Sequence, residues 1–150
     1  MAYALAKVAT ESDWRDYHAI RRAVLWEARG LGGYDEHHGD EYIPANHPLL
    51  LKLDGGSIGT VRVDDFGNGT GAVRLVAIVT NLQRQGHGRV LSQMVEAYAL
   101  RLGVQTMFVN AAPEAVGYYE RMGWEHHIWE PAELTGIVSD CKQMRKVLSD

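Results

Sequence analysis

Cysteine is almost missing from this chain of 150 residues: Cys141 stands alone, so no internal disulfide can form and a reducing compartment is the natural setting. Basic charge is not in surplus either. Fifteen Lys and Arg stand against 19 Asp and Glu, a net charge of −4, whereas a site that tracks a nucleic-acid backbone shows up as a basic excess. No apolar run approaches the ~20 residues of a membrane span. The opening stretch, Met1 to Thr10, carries Lys7 inside a short apolar segment with no cleavage-like pattern after it. The expectation is a cytoplasmic, unexported protein with neither nucleic acid nor membrane as partner. Repeats, low-complexity tracts and flexible linkers are lacking too, so residues 1–150 read as one domain, with enough apolar content, 46%, for a core of its own.

What is present is a turn. Gln83-Arg84-Gln85-Gly86-His87-Gly88 lies between a strand-like run, Val73 to Val79, and an amphipathic helical one, Arg89 to Leu102. A helix opened by two glycines offers unpaired backbone N–H groups at the positive end of its dipole, with little side chain in the way. That suits phosphate. A mononucleotide P-loop needs four residues between its glycines and then Gly-Lys-Ser/Thr, but one residue separates Gly86 from Gly88 and Arg89-Val90 follows. The dinucleotide fingerprint needs a glycine at position 91, which is Leu91. Both common nucleotide readings fail, and a glycine-rich turn without ligand is the bland alternative.

Around the turn, periodicity gives the order of elements. Tyr3 to Val8 reads as a strand; Thr10-Glu11-Ser12-Asp13 caps a helix from Trp14 to Arg29, with Tyr17, Ile20, Val24 and Ala28 on one face. Gly30, Gly32 and Gly33 open a polar loop, Tyr34 to Asn46. Leu49 to Leu53 and Ser57 to Val63 form a hairpin about Asp54-Gly55-Gly56, and Ala72 to Thr80 returns after a turn at Asp64 to Gly71. Val104 to Asn110 is a strand, Pro113 to Met122 a helix closed by Gly123, and Trp124 to Trp129 and Asp140 to Leu148 alternate as terminal strands. Strands and helices in this order make a mixed α/β layer, a central sheet covered by helices.

Gln83-x-x-Gly86-x-Gly88 after an apolar strand resembles the acetyl-coenzyme A signature of the GNAT N-acetyltransferase superfamily, Gln/Arg-x-x-Gly-x-Gly/Ala. A second block agrees: Asn110, then Ala115-Val116-Gly117-Tyr118-Tyr119-Glu120-Arg121-Met122-Gly123-Trp124, is similar to the family's Asn followed by Ala-x-x-Phe-Tyr-Glu-x-x-Gly-Phe. The stretch Ile20 to Glu27, the acidic loop ending in His47, Arg74 and the closing Met144 to Leu148 look like a small bacterial subgroup of unassigned substrate. The resemblance implies a mostly antiparallel mixed sheet, splayed in the middle, with helices on both faces. It also implies that the chain is an enzyme moving an acetyl group from acetyl-coenzyme A to an amine.

On that resemblance Arg84, Gln85, Gly86, His87, Gly88 and Arg89 surround the coenzyme phosphates, the main chain at Ile78 and Val79 pairs with the pantetheine arm, and Asn110 orients it. Backbone N–H groups around Val79 stabilise the carbonyl oxygen as it turns negative. Tyr119 matches the family tyrosine that protonates the departing thiolate, while Tyr118 reads as packing. Transfer also needs a neutral amine. The strand Val73 to Val79 carries no carboxylate, so the base is sought in the loop after the first helix: Glu36 or His47 first, His37 and His38 beside them, Glu41 and Asp64-Asp65 behind them, with a water chain as substitute. The lone Cys141 argues for direct attack in a ternary complex rather than an acetyl-cysteine intermediate. No metal is expected, because adjacent His37 and His38 share no face and no ligand spacing is present.

The acidic loop suits attraction of a cationic small-molecule amine. An acyl-coenzyme A sensing module without turnover, and an enzyme acting on protein amino groups, are the alternatives. Exposed sheet edges leave a homodimer open.

Overall fold

A computed structural model describes residues 2–148 of the chain. Its seven strands are β1 (Tyr3–Lys7), β2 (Asn46–Leu53), β3 (Gly56–Asp65), β4 (Thr70–Ile78), β5 (Thr106–Ala111), β6 (Glu125–His126) and β7 (Lys142–Val147), and its three α-helices are α1 (Glu11–Arg21), α2 (His87–Arg101) and α3 (Val116–Arg121). The strands form one sheet in the order β1-β2-β3-β4-β5-β7-β6. Every neighbouring pair is antiparallel except β4 and β5, which run parallel. This is the expected mixed fold.

Consecutive leucines show how the layers assemble. Leu49, Leu50 and Leu51 are fully buried, and since successive strand side chains alternate faces, Leu49 and Leu51 join Val61, Val63, Leu91 and Val95 under α2. Leu50 points the other way, joining Tyr17, Ile20 and Ala77 under α1. The helices therefore cover opposite faces. At the start of α1 a capping box locks the entry: Thr10 accepts from the Asp13 N–H at 3.0 Å, and the Asp13 carboxylate accepts from the Thr10 N–H at 3.3 Å.

Three expectations are corrected. The first helix does not run regularly to Arg29: after Arg21 it widens into a π-turn over Arg22–Trp26 and tightens into a 3-10 turn over Glu27–Arg29. The segment Trp124 to Trp129 pairs only at Glu125 and His126, because Trp129 turns out of the ladder to stack on Phe108 at 5.1 Å and donate from its indole to the Val109 carbonyl. The turn proposed for Asp64 to Gly71 is shorter, with Asp64 and Asp65 still on β3 and Thr70 and Gly71 already on β4.

The sheet opens in its middle. β4 and β5 keep register only from Thr70↔Thr106 to Val73↔Val109. Beyond that β4 bulges: Arg62 faces Arg74 and Thr60 faces Ala77, so Leu75 and Val76 together oppose Val61, and Leu75 takes a positive φ of 51°. The bulge turns β4 toward β3 and away from β5, leaving a wedge between two parallel strands.

Candidate active site

The glycine-rich turn lies between the end of β4 and the start of α2. Gly86 caps α2 with φ 91°, a left-handed conformation that a residue with a Cβ adopts only under strain, and no side chain caps the helix there. The first bond of the helix ladder runs from the Val90 N–H to the Gly86 carbonyl at 3.3 Å, so the N–H groups of His87, Gly88 and Arg89 stand outside it. Arg84 is also left-handed, with φ 63°. Two left-handed residues so close make a backbone concavity of the kind that binds anions. A Cβ built on Gly86 or Gly88 would meet nothing within 4 Å, so the space above the turn is open. The turn offers backbone N–H groups and open space to an anion.

The side chains of the turn do more holding than reaching. Gln83 donates to the Ile78 carbonyl at 2.9 Å and Gln85 to the Asn81 carbonyl at 3.1 Å. The His87 ring is buried and bonded through Nδ1 to the Tyr3 hydroxyl at 2.8 Å, so this residue offers the space above the turn only its backbone N–H. Arg84 and Arg89 are exposed. Just past β4 the Val79 N–H is spent on the Ile58 carbonyl at 2.9 Å, which removes it as a free oxyanion donor. Strand N–H groups alternate between edges, so the Ile78 N–H faces the wedge instead.

Tyr119, on α3, meets the wedge from below. It is only 9% exposed, and among the described residues its hydroxyl has no hydrogen-bond partner, although it lines a cavity of about 650 Å³. Burial pushes its ionisation well above the ordinary tyrosine value, with Tyr118 and Cys141 adding to the shift, so the phenol keeps its proton. An unpartnered, protonated hydroxyl on a cavity wall can donate a hydrogen bond into the cavity.

The cavity continues past the wedge to a wall of paired charges, in which Glu41, Asp64 and Arg74, singled out in the sequence, meet Arg62 and Glu133, which were not. Glu41, on a 3-10 turn over Gly39–Tyr42, is 4% exposed; it accepts from Arg21, from Arg62 at 2.9 Å and from the Tyr17 hydroxyl at 2.9 Å. Asp64 takes Arg62 at 2.7 and 3.0 Å and Arg74 at 3.1 Å. Glu133 takes both terminal nitrogens of Arg74 and the Asn110 amide at 3.2 Å. The arginines hold Glu41 and Glu133 below the ordinary glutamate range despite burial, which pulls the other way. Every carboxylate oxygen in this row is engaged, and a buried charge so paired is stable only while its partner stays.

The expected site residues thus divide. Tyr119, Asn110, His38, Glu41 and Asp64 line the cavity, with Asp35 and Asp40 of the same loop joining them. Asn110 does so as a wall anchor rather than as a free amide: its Oδ1 accepts from Gln143 at 3.0 Å while its amide binds Glu133. Glu36 is outside the wall, paired to Arg22 at 2.9 Å, which lowers its pKa. His47 is also outside. It lies on β2 two residues before Leu49, hence on the α2 face, where its Nδ1 meets the Tyr98 hydroxyl at 3.0 Å. Neither is placed to take a proton from a molecule in the cavity. Of the loop histidines only His38 reaches the wall, its Nδ1 accepting from the Asp40 N–H at 3.2 Å. Among the described residues no group of three or more His, Cys, Asp or Glu is arranged to hold a metal, and no helix is long and apolar enough to cross a membrane.

Comparison with known proteins bears on this arrangement. The model of the acetyltransferase (GNAT) domain family matches residues 35–147, well over half of the chain. A Bacillus subtilis protein whose name places it among the acetyltransferases is 27% identical over 125 residues, covering 79% of this chain and 80% of that protein. A crystal structure described as an N-acetyltransferase from Lactobacillus plantarum superposes with a TM-score of 0.81 at 21% identity, over 99% of this chain and 100% of the other. An acyl-CoA N-acyltransferase from Pseudomonas aeruginosa gives 0.80 at 18% identity, over 97% and 99%.

Proposed function

This chain belongs to the GNAT acetyltransferase family, and from that premise we propose that it transfers an acetyl group from acetyl-coenzyme A to the primary amine of a small molecule, by direct attack within a ternary complex. The observation that carries this reading is the cavity of about 650 Å³, which runs without a break from wedge residues Val76 and Val109, past Tyr119, to the polar wall of Arg62, Arg74 and Glu133. The wedge and the polar wall share one cavity, open where Asp35, His38 and Asp40 lie, and the turn from Gln83 to Arg89 stands outside its lining. Gly33 to Asp35 and Ile137-Val138 line it as well, a setting for a small acceptor more than for a polypeptide.

The coenzyme, when bound, supplies an activated thioester. The N–H groups of the α2 turn and the guanidinium groups of Arg84 and Arg89 hold its phosphates, and the β4 edge at Ile78 holds its arm and polarises the carbonyl. Tyr119 gives its proton to the sulfur as it leaves and regains one from the nitrogen, which sheds it as the amide forms. The acceptor loses its proton to solvent through the open end of the cavity, where Asp35, His38 and Asp40 lie. Ordering both reactants in one cavity supplies the remaining advantage.

The second reading is a coenzyme-binding module without turnover. Its support is the engaged state of Glu41, Asp64 and Glu133, none of which has an unpaired oxygen to act as a base. Free-thiol release from acetyl-coenzyme A across a broad panel of small amines separates the two. Release with a subset of the panel supports the enzyme, and none across the panel while coenzyme A still binds supports the module.

A further inference from the structure

Tyr118, half-buried on α3, stands where the signature quoted above carries Phe. The hydroxyl is not idle. It donates to the Gly88 carbonyl at 3.1 Å and lies 2.7 Å from Ser92 Oγ, which donates to it in turn. Gly88 and Ser92 both lie on α2, Tyr118 on α3. Among the described residues no other side-chain hydrogen bond joins these two helices.

The turn needs such a tie. It opens α2 with two glycines and no side-chain cap, and glycine gives the backbone more freedom to lose than any other residue. Two anchors come from other directions: Gln83 ties the turn to β4 through the Ile78 carbonyl, and His87 ties it to β1 through Tyr3. Both lie on the sheet side. Tyr118 supplies the third, from the helix that carries Tyr119, and its ring meets the Tyr119 ring edge-on with centroids 5.6 Å apart.

We propose that Tyr118 is a positioning residue: its hydroxyl orders the first turn of α2, the seat for the coenzyme phosphates, and fixes that seat relative to Tyr119. The inference rests on the coenzyme reading above and adds to it a role for a residue that the family signature leaves apolar. It acts through Gly88 and touches no substrate.

The test is calorimetric titration with coenzyme A and, separately, with pantetheine, which lacks the phosphates. Tyr118→Phe removes only the hydroxyl, and cooperative thermal unfolding of both proteins checks that the fold is kept. Losing a hydrogen bond of ordinary strength weakens coenzyme A about 3- to 10-fold. Pantetheine is expected to bind both proteins alike. Gly88 has an ordinary φ and open space around it, so adding Gly88→Ala stiffens the turn by another route and restores the affinity. Unchanged coenzyme A affinity, an equal loss for pantetheine, or a loss that Gly88→Ala leaves in place overturns the proposal. If the unaltered protein does not bind coenzyme A, the reading of the turn itself falls and takes this inference with it.

Discussion

Val73 and Val109 are the last residues at which β4 and β5 pair, and the residues that follow them, Arg74 and Asn110, are joined instead through the carboxylate of Glu133. The crotch of the splayed sheet is therefore braced by a side chain from the loop between β6 and β7. Glu133→Ala leaves Arg74 short of a partner and frees that loop, at a cost of roughly 1–3 kcal/mol. Urea unfolding measures the loss. The proposed function puts the acceptor against this wall of the cavity, so KM for the amine is expected to rise while KM for acetyl-coenzyme A holds; a rise in the coenzyme value alone would place Glu133 on the donor side.

Tyr119→Phe removes the unpartnered hydroxyl and little else. Turnover is expected to fall on the order of 100-fold, as for loss of a general acid, with coenzyme A affinity nearly unchanged. The reverse pattern assigns Tyr119 to packing. Since burial raises its pKa above the ordinary value of 10.0, the unaltered enzyme's rate has no falling limb from this group below that pH, and rises as the amine loses its proton.

The two glycines of the turn respond differently to the same change. Gly86→Ala forces a Cβ into a backbone with φ 91° and strains the phosphate seat, whereas Gly88→Ala meets open space at an ordinary φ. Coenzyme A binding by calorimetry is expected to weaken in the first and persist in the second. Gly86→Trp, which fills the seat, abolishes it. Equal affinities across these variants contradict the assignment of the turn.

His18 and His47 are held below the ordinary histidine value of 6.5, in each case chiefly by burial. The unfolded chain therefore takes up protons that the folded one refuses. Their contribution to stability is present above pH 6.5 and is lost progressively as the pH falls below it. Urea midpoints measured from pH 8 down to pH 5 are expected to decline across about that window, and replacing both residues by Gln flattens the decline.

Strand and helix order followed from periodicity because each buried face repeats on its own period: the leucines of β2, and Leu91, Val95 and Ala99 on α2, announce themselves. What periodicity could not show is how an element ends. Tyr17, Ile20 and Val24 sit as well on a regular helix as on one that widens into a π-turn after Arg21. The half of the site proposed for the donor rests on a contiguous motif, Gln83 to Gly88, whose chemistry is backbone chemistry. The half proposed for the acceptor is built by distant residues. His47 was misplaced because β2 was started at Leu49; begun at Asn46, the strand puts His47 on the same face as Leu49, against α2 and away from the cavity. Glu133 lies in an irregular stretch where local spacing carries no information, and only the fold brings it to Arg74 and Asn110.

The most direct measurement is a crystal structure with coenzyme A bound. The account predicts the pyrophosphate against the backbone N–H groups between Arg84 and Arg89, the arm between β4 and β5, and the sulfur within hydrogen-bond reach of the Tyr119 hydroxyl. Coenzyme bound outside the wedge, or a sulfur remote from Tyr119, would contradict it.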